Sequence, residues 1–350
     1  MGMTKQQFGT MPDGEVVYLY TLTNENGIEA SFTDLGGTWV SMKVPDREGK
    51  LADVVQGYDC VQDYLGNNTH FGAIVGRNAN RIGNAEFSLD GKIYRLAEND
   101  GVNNLHSGPD LYHDRVWETE YEETEMGLTL SFSLFSPHMD QGYPGNADIQ
   151  VDYTLTPDNA VMITYHMTAD QDTIANFTNH SYFNLKGHAC EDISTQKVQI
   201  FADYFTPTDA GSIPTGELRA VKGTPMDFTE KKAIGRDIDS DYEQIVLGHG
   251  FDHNWVLKKE EGMALAAKAF DEESGRVMEV YTDLPGMQFY TANFLDNEKG
   301  KEGVVYKRRS SYCFETQYAP DAINKPEFAS PVLKAGDEYH TTTVYRFMTE

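Results

Sequence analysis

A histidine stands among polar residues in the segment 178–185. If this segment is a strand, Thr178, His180, Tyr182 and Asn184 share one face, because successive side chains of a strand alternate between faces. That face is too hydrophilic for a core and suits the wall of a cleft. An imidazole there can exchange protons near neutral pH, although a hydrogen-bonded structural role is the simpler interpretation of His180 taken alone.

A carboxylate with apolar neighbours is the second candidate. If residues 311–317 form a strand, Cys313, Glu315 and Gln317 lie on one face. Desolvation would raise the pKa of Glu315 toward the range of a general base. Taken alone, Glu315 is equally consistent with an ordinary buried ion pair.

Two further segments offer hydrogen-bonding groups. The Asn-rich segment 103–108 reads as a loop that presents His106, and Arg77 and Arg81 follow closely after Gly76. Polar groups without a basic cluster suit a hydroxyl-rich ligand. Each segment by itself is also explained by turn chemistry or surface charge.

A metal site is conceivable at His249, Asp252 and His253, because histidines four residues apart share a helix face. Gly248 and Gly250 argue against a helix there, so metal ligation is disfavoured.

The elements that must position these groups are strands. Alternation with period two is clear at Leu128, Leu130, Phe132 and Leu134, and it recurs in residues 149–155, 161–167 and 339–347. The turn residues 157–159 and the pair Asp90-Gly91 predict two hairpins. No long segment has helical periodicity, and no Gly-rich phosphate loop follows a strand. The predicted fold class is all-β, a large antiparallel β-sandwich, with residues 1–350 as a single domain.

Long polar stretches are predicted at residues 97–115, 136–147 and 206–243. Long loops on an antiparallel scaffold are where binding and catalytic groups usually lie.

Composition narrows the class of protein. The 350-residue chain has a net charge of −27, spread along its length, which disfavours nucleic acid and strongly anionic ligands and favours a neutral small molecule. The N-terminal residues lack the apolar core of a signal peptide, and no apolar stretch is long enough to span a bilayer. Three widely spaced cysteines fit a reducing compartment, so a cytoplasmic protein without membrane contact is expected.

Several motifs together resemble the aldose 1-epimerases, also called galactose mutarotases. They occur in the family's order over nearly the whole chain and are Phe71-Gly72-Ala73, residues 76–82, Asn104-Leu105-His106, residues 178–185, residues 250–254, residues 285–291, Phe314-Glu315-Thr316-Gln317 and residues 320–324. This resemblance implies a β-sandwich enzyme that interconverts the α and β anomers of a free aldohexose such as galactose or glucose, in hexose metabolism.

The resemblance also implies residue roles. Glu315 would be the general base, His180 the general acid, and His106 a second histidine near the ring oxygen and C1. Positions that hold sugar hydroxyls or orient the catalytic pair match Asn80, Arg81, Asp252 and Gln288. Two positions depart from the family pattern: Ser107 stands where a glycine is usual, and Asn78 where a small apolar residue is usual.

Ring opening and reclosure at C1 move only protons, so no cofactor and no metal are expected. The chemistry calls for an ionised Glu315 and a protonated His180, each charge supporting the other, and Asp252 would further support the positive charge. The expected partner is an aldose, and the protein is expected to be a monomer or a homodimer.

Three other classes remain open. A glycosidase would need two carboxylates beside the glycosidic bond, and Asp252 and Glu315 are available, but paired histidines favour a free hemiacetal. A non-catalytic sugar-binding domain would need neither a base nor an acid. A sugar-phosphate epimerase is disfavoured by the negative charge.

Overall fold

A computed structural model describes residues 1–258 and 262–350. Its strands, numbered in chain order, begin with β1 (Gly2–Thr10), β2 (Val16–Thr23), β3 (Glu29–Thr33), β4 (Thr38–Pro45), β5 (Leu51–Asp53), β6 (Ile74–Val75), β7 (Arg81–Ile82), β8 (Glu86–Leu89), β9 (Lys92–Arg95), β10 (Asn104–Leu105), β11 (Glu118–Thr124), β12 (Gly127–Ser136), β13 (Ala147–Leu155) and β14 (Ala160–Ala169). They continue with β15 (Thr173–Ile174), β16 (Thr178–Asn179), β17 (Lys197–Ile200), β18 (Tyr204–Thr206), β19 (Arg219–Ala220), β20 (Lys232–Ala233), β21 (Asp252–Val256), β22 (Ala264–Phe270), β23 (Arg276–Thr282), β24 (Gly286–Tyr290), β25 (Glu298–Lys299), β26 (Val305–Tyr306), β27 (Cys313–Gln317), β28 (Val332–Leu333) and β29 (Glu338–Thr349).

Helical structure is confined to short segments. The α-helices are α1 (Val61–Tyr64) and α2 (Glu243–Leu247), and the 3₁₀ turns are Gly83–Ala85, Tyr112–Asp114, Asp140–Gly142, Ile234–Arg236, Lys301–Gly303 and Ala322–Asn324. Among the described residues, no helix is long and apolar enough to cross a membrane.

Three sheets form the body of the fold. A nine-stranded sheet has the order β11-β12-β13-β14-β29-β23-β22-β17-β20, and two five-stranded sheets have the orders β1-β2-β3-β4-β5 and β19-β18-β21-β24-β27. Every pairing within these sheets is antiparallel. The predicted antiparallel β-sandwich is therefore confirmed.

The main core lies where the two smaller sheets meet the nine-stranded sheet. Phe32 of β3 packs on Tyr153 of β13 with ring centroids 4.4 Å apart, and the Tyr345 hydroxyl of β29 donates a 2.7 Å hydrogen bond to the Phe314 carbonyl of β27. Because strand residues alternate in direction, Phe314 points into this core while its neighbour Glu315 points to the opposite face. One short strand thus joins the core to the site.

The predicted hairpins are confirmed. Strands β8 and β9 pair across Asp90 and Gly91, whose φ values of 50° and 75° satisfy a type I′ turn, and β13 pairs with β14 across residues 156–159. The alternation in residues 128–134 and 339–347 corresponds to β12 and β29.

Candidate active site

A cavity of roughly 310 Å³ opens at one end of the β21-β24-β27 sheet. Of the seven predicted site residues, its wall contains Asn80, Arg81, His106, His180, Asp252 and Glu315. The seventh, Gln288, is joined to the wall because its Nε2 donates a 2.8 Å hydrogen bond to Asp252 Oδ1. Residues that are up to 235 positions apart in the sequence, 80 and 315, therefore meet in one place.

Neighbouring strands fix the carboxylate side of the cavity. Gln288 of β24 lies directly opposite Glu315 of β27, and Tyr290 of β24 lies opposite Asp252 of β21. The predicted face of Cys313, Glu315 and Gln317 is confirmed by this register, since Gln317 Nε2 also reaches Gln288 Oε1 at 3.4 Å. Because these side chains project from paired strands, their positions in the wall are well defined.

The histidine side is fixed by a backbone clamp. The Gly72 amide donates to the His180 carbonyl at 3.0 Å, and the His180 amide donates to the Ala73 carbonyl at 2.9 Å. Gly72 has a φ of +66°, and a Cβ there would lie 2.0 Å from the Trp39 carbonyl oxygen, so only glycine fits. Regular strand structure in this segment covers just Thr178–Asn179, yet His180 and Tyr182 both reach the cavity as the alternation predicted.

The two central groups are buried and close together. His180 Nε2 lies 3.5 Å from Glu315 Oε2, and the two residues are 5% and 2% exposed. Within the described part of the chain, Glu315 Oε2 has no hydrogen-bond partner. On the other edge of the imidazole, Nδ1 lies 3.6 Å from Cys313 Sγ. The pair is thus held in place while one carboxylate oxygen stays free for a ligand.

Burial acts on both groups against their charged forms. Desolvation, reinforced by repulsion from Asp252, raises the pKa of Glu315 well above 4.5. Desolvation lowers the pKa of His180 to about 4. Burial therefore acts against the expected carboxylate–imidazolium pair, because it disfavours the charged form of both groups.

Asp252 acts on the carboxylate of the pair. Its own pKa is raised by burial, an effect that Arg81 opposes. Its charge raises the pKa of Glu315. Asp252 therefore strengthens the base.

His106 is held differently from His180. The Asn80 amide donates a 3.1 Å hydrogen bond to His106 Nδ1, and the His106 amide donates back to the Asn80 carbonyl at 3.1 Å. Asn80 and His106 both have left-handed backbone, with φ values of 61° and 53°. An Nδ1 that accepts a hydrogen bond carries no proton, so the neutral ring has its proton on Nε2. Burial lowers the pKa of His106 well below 6.5, which keeps the ring neutral.

Metal ligation does not fit this donor set. Ligand atoms of His106, His180 and Glu315 lie within 4.8 Å of one another. His106 Nδ1 is already committed to the Asn80 amide, so binding a metal through Nε2 would require loss of the only ring proton. The disfavoured alternative at His249, Asp252 and His253 does not lie on a helix, as Gly248 and Gly250 indicated. Asp252 and His253 lie in strand β21, His253 is fully buried, and its Nδ1 accepts the Asp252 amide at 3.2 Å.

The two arginines have separate functions. Arg81 lines the cavity, and its Nε binds Asp100 Oδ2 at 2.7 Å. Arg77 is fully buried away from the cavity, where its guanidinium donates to the Pro144 carbonyl at 2.7 Å and to Ser136 Oγ at 2.8 Å. Arg77 is therefore a structural residue.

The two departures from the family pattern meet in space. The Asn78 amide donates to Ser107 Oγ at 3.0 Å, and the same hydroxyl lies 3.0 Å from the Asn78 carbonyl oxygen. Ser107 has a φ of 63°, a conformation that glycine adopts without strain. Its two bonds to the Asn78 backbone offset that strain and support the loop that carries His106.

Sequence reasoning missed several wall residues, namely Asn68, His70, Asp100, Tyr290 and Phe294. Tyr290 and Phe294 lie in or near the motif 285–291, which contained the signal, whereas His70 precedes Phe71 without any pattern of its own. Of the three long polar stretches, 97–115 supplies His106 and Asp100, while 136–147 and 206–243 contribute none of the wall residues. The rest of the wall comes from strands β7, β21, β24 and β27 and from the segments around Asn68, Asn80, His180 and Phe294.

A larger cavity of roughly 530 Å³ lies on the nine-stranded sheet. His166 and Glu338 lie there with Nδ1 and Oε1 3.3 Å apart, but the Glu338 side chain is 63% exposed. Water solvates such a carboxylate, so this cavity lacks the buried acid–base pair of the β21-β24-β27 end.

Comparison with known proteins identifies a family. The family model described as aldose 1-epimerase matches residues 18–346. A galactose mutarotase from Sus scrofa is 39% identical over 348 residues, which are 99% of each chain. Among solved structures, a GalM/aldose epimerase homologue from C. elegans matches with a TM-score of 0.85 and 31% identity over 94% of this chain and 98% of its own. A galactose 1-epimerase from Lactobacillus acidophilus matches with a TM-score of 0.87 and 25% identity over 99% of both.

Proposed function

The chain belongs to the aldose 1-epimerase family, an isomerase family that interconverts sugar anomers, and from that premise we propose that Glu315 and His180 move the two protons of the reaction. The observation that carries this proposal is the 3.5 Å approach of His180 Nε2 to Glu315 Oε2 in a cavity wall. Two groups so placed can reach the C1 hydroxyl and the ring oxygen of one pyranose, which are bonded to the same carbon.

Ring opening needs one proton removed and one delivered. Glu315 takes the proton of the C1 hydroxyl, the C1–O5 bond breaks with its electron pair going to O5, and His180 delivers a proton to O5. The aldehyde then rotates about C1–C2. Reclosure reverses both transfers: O5 attacks the other face of C1, His180 takes back its proton, and Glu315 returns its own to O1. No proton is gained or lost over the cycle.

Burial disfavours both charges but leaves these roles open to the pair. A carboxylic acid with a neutral imidazole and a carboxylate with an imidazolium differ only in which atom, Oε2 or Nε2, holds the proton. Sugar hydroxyls that hydrogen bond to Glu315 Oε2 favour the carboxylate, because a charged acceptor forms the stronger bonds. Substrate binding therefore favours the reactive form of the pair.

His106 has a donor role in this proposal. Its Nδ1 is occupied by the Asn80 amide, so becoming an imidazolium would set an N–H against an N–H. The remaining Nε2–H can donate to the ring-oxygen region but is not released in the catalytic pH range. His180 therefore transfers the proton, whereas His106 positions the sugar and polarises its ring-oxygen region.

We propose a neutral aldohexose, with galactose first, as the substrate, since the relative from Sus scrofa is a galactose mutarotase. Arg81 is the one Lys or Arg among the described wall residues, and Asp100 already neutralises it at 2.7 Å. A phosphate group would face Asp100, Asp252 and Glu315 without a free cation. This charge balance supports a free sugar over a sugar phosphate.

The remaining features of the proposal concern the whole protein. We propose that residues 1–350 act as one catalytic unit, a cytoplasmic monomer or homodimer that needs no cofactor and binds no nucleic acid. The family match over residues 18–346 supports a single catalytic unit, and the net charge of −27 disfavours nucleic acid. Light scattering of the purified chain measures the oligomeric state.

Polarimetry tests the activity. Freshly dissolved α-galactose and α-glucose should reach their equilibrium rotation faster with the enzyme than without it, and hydrolysis of a chromogenic galactoside should not occur. Glycoside hydrolysis without faster mutarotation would instead support a glycosidase, for which the pair Asp252 and Glu315 would be the two carboxylates.

A further inference from the structure

A third imidazole, His70, lines the cavity beside the two predicted histidines. Its ring centroid lies 4.9 Å from that of His106 and 5.7 Å from that of His180. It also lies 5.0 Å from His113, which is not a wall residue. None of the motifs that pointed to the site includes His70.

Backbone structure fixes this ring in place. His70 has a left-handed φ of 58°, its carbonyl accepts the Ala73 amide at 3.1 Å, and the Tyr182 hydroxyl donates to the carbonyl of the preceding Thr69 at 2.8 Å. A left-handed conformation is uncommon for a residue with a side chain and concentrates at functional positions. The turn is thus tied to the same segment that carries His180.

The side chain has unused hydrogen-bonding capacity. Its Nδ1 is buried without a hydrogen-bond partner, and no protein group in the described residues bonds to its Nε2 either. Burial, with repulsion from His113 and His180, lowers the pKa of His70 well below 6.5. A neutral imidazole with free nitrogens in a cavity wall suits a hydroxyl group, for which it can be donor or acceptor.

The position along the sugar follows from the catalytic pair. Glu315 and Asp252 lie on strands β27 and β21 of one sheet and form the carboxylate side of the cavity. In the proposed reaction C1 and C2 of the sugar lie on this side, and the ring oxygen lies at His180. His70 lies on the histidine side of the cavity, beside the rings of His180 and His106, and outside the sheet that carries the two carboxylates. It therefore lies beyond the ring oxygen, where the next atom of a pyranose is C5 with its substituent.

We infer that His70 binds the exocyclic O6 hydroxyl of an aldohexose and selects hexoses over sugars that lack this group. The inference rests on the proposed function, because Glu315 and His180 set the orientation of the sugar.

Three sugars with the same ring configuration test it. D-galactose has the C6 hydroxyl, D-fucose has a methyl group there, and L-arabinose has only hydrogen. His70→Phe keeps a planar ring and removes both nitrogens, and His113→Phe is the matched control that removes an imidazole of the same cluster from outside the wall. The rate of mutarotation at several concentrations of each sugar gives kcat/KM.

For His70→Phe we expect kcat/KM to fall about 3- to 10-fold with D-galactose, the value of one hydrogen bond to a neutral group, and less than about 2-fold with D-fucose and L-arabinose. For His113→Phe we expect any change to be equal for the three sugars. Equal losses with His70→Phe on all three sugars, or no loss on D-galactose, would overturn the inference.

If His70→Phe does not fold, the wild-type enzyme can be compared on D-galactose and D-fucose instead. It should have a kcat/KM for D-galactose about 3- to 10-fold above that for D-fucose, and equal values would also overturn the inference. Glu315→Gln separates this outcome from failure of the proposed function, since it should lose activity on all three sugars alike.

Discussion

Lys301 and Glu315 are both buried ionisable residues, but their surroundings differ. Lys301 Nζ has three oxygen partners, Asp53 Oδ2 at 2.6 Å, the Val55 carbonyl at 2.7 Å and the Val40 carbonyl at 2.8 Å. Glu315 Oε2 has no hydrogen bond to any described residue and only a 3.5 Å approach from His180 Nε2. A buried ionisable group with a structural role has hydrogen-bond partners at all of its positions. A catalytic group keeps an unpaired atom that the substrate can bind.

That difference has an energetic consequence. The hydrogen-bonded Lys301 cluster matters for stability, because removal of one partner leaves a buried charge unpaired. The unsaturated Glu315 is buried without compensation, so its removal should cost the fold little and the reaction much. Substitutions in the two regions should therefore affect different measurements.

The largest effect is expected at His180. His180→Asn should lower kcat about 10²- to 10⁴-fold with little change in KM, because an amide cannot deliver the proton to O5. His106→Asn should raise KM as well as lower kcat, because it removes a positioning donor. Steady-state kinetics from pH 5 to 8 measure both, and loss of kcat at His106→Asn with only a raised KM at His180→Asn would reverse the two roles.

A change at Lys301 should affect stability instead. Lys301→Met should lower the free energy of unfolding by about 3–5 kcal/mol, the cost of breaking a buried pair. The folded fraction should keep its kcat. The control is Lys43→Met, since the Lys43–Glu29 pair has side chains 48% and 34% exposed and should matter little. Urea unfolding measures both variants, and equal stability losses would contradict the contrast between saturated and exposed pairs.

The pH dependence of stability distinguishes Glu315 from a structural carboxylate. The pKa of Glu315 in the folded state is raised above the unfolded value near 4.5, so the folded state holds the proton more tightly. The stability of the wild type therefore declines as pH rises from the unfolded-state pKa to the folded-state pKa. Glu315→Gln removes this titration. In that pH range the free energy of unfolding of the variant, relative to the wild type, should rise by up to about 1.4 kcal/mol per pH unit. Unfolding at pH 5, 6 and 7 checks this, and a variant that loses stability as pH rises would refute the sign.

No effect is expected from metal removal. Dialysis against EDTA should leave activity unchanged, since the proposed steps move only protons and His106 Nδ1 is engaged by a backbone amide. Activity that disappears on chelation and returns with Zn²⁺ would mean that His106, His180 and Glu315 form a metal site.

Local periodicity made much of this fold predictable. Alternation with period two predicts β12, β13, β14 and β29, and it places Glu315 and Cys313 on one face of β27. The family motifs then supplied the residues that line the cavity together.

What the sequence could not supply depends on contacts between distant segments. His70 is next to His180 only because Gly72 and Ala73 pair with the segment that follows β16, and no local pattern encodes that pairing. The pKa shifts of Glu315 and His180 depend on desolvation by the assembled walls, which disfavours the charged form of each group. The saturated arrangement around Lys301 is likewise visible only in three dimensions.

The catalytic role of Glu315 is the central claim, and polarimetry of Glu315→Gln tests it most directly. The amide keeps the shape of the side chain but cannot accept the C1 hydroxyl proton. We predict that the purified, folded variant accelerates the mutarotation of fresh α-galactose about 10²- to 10⁴-fold less than the wild type. Near wild-type activity in that variant would contradict the account.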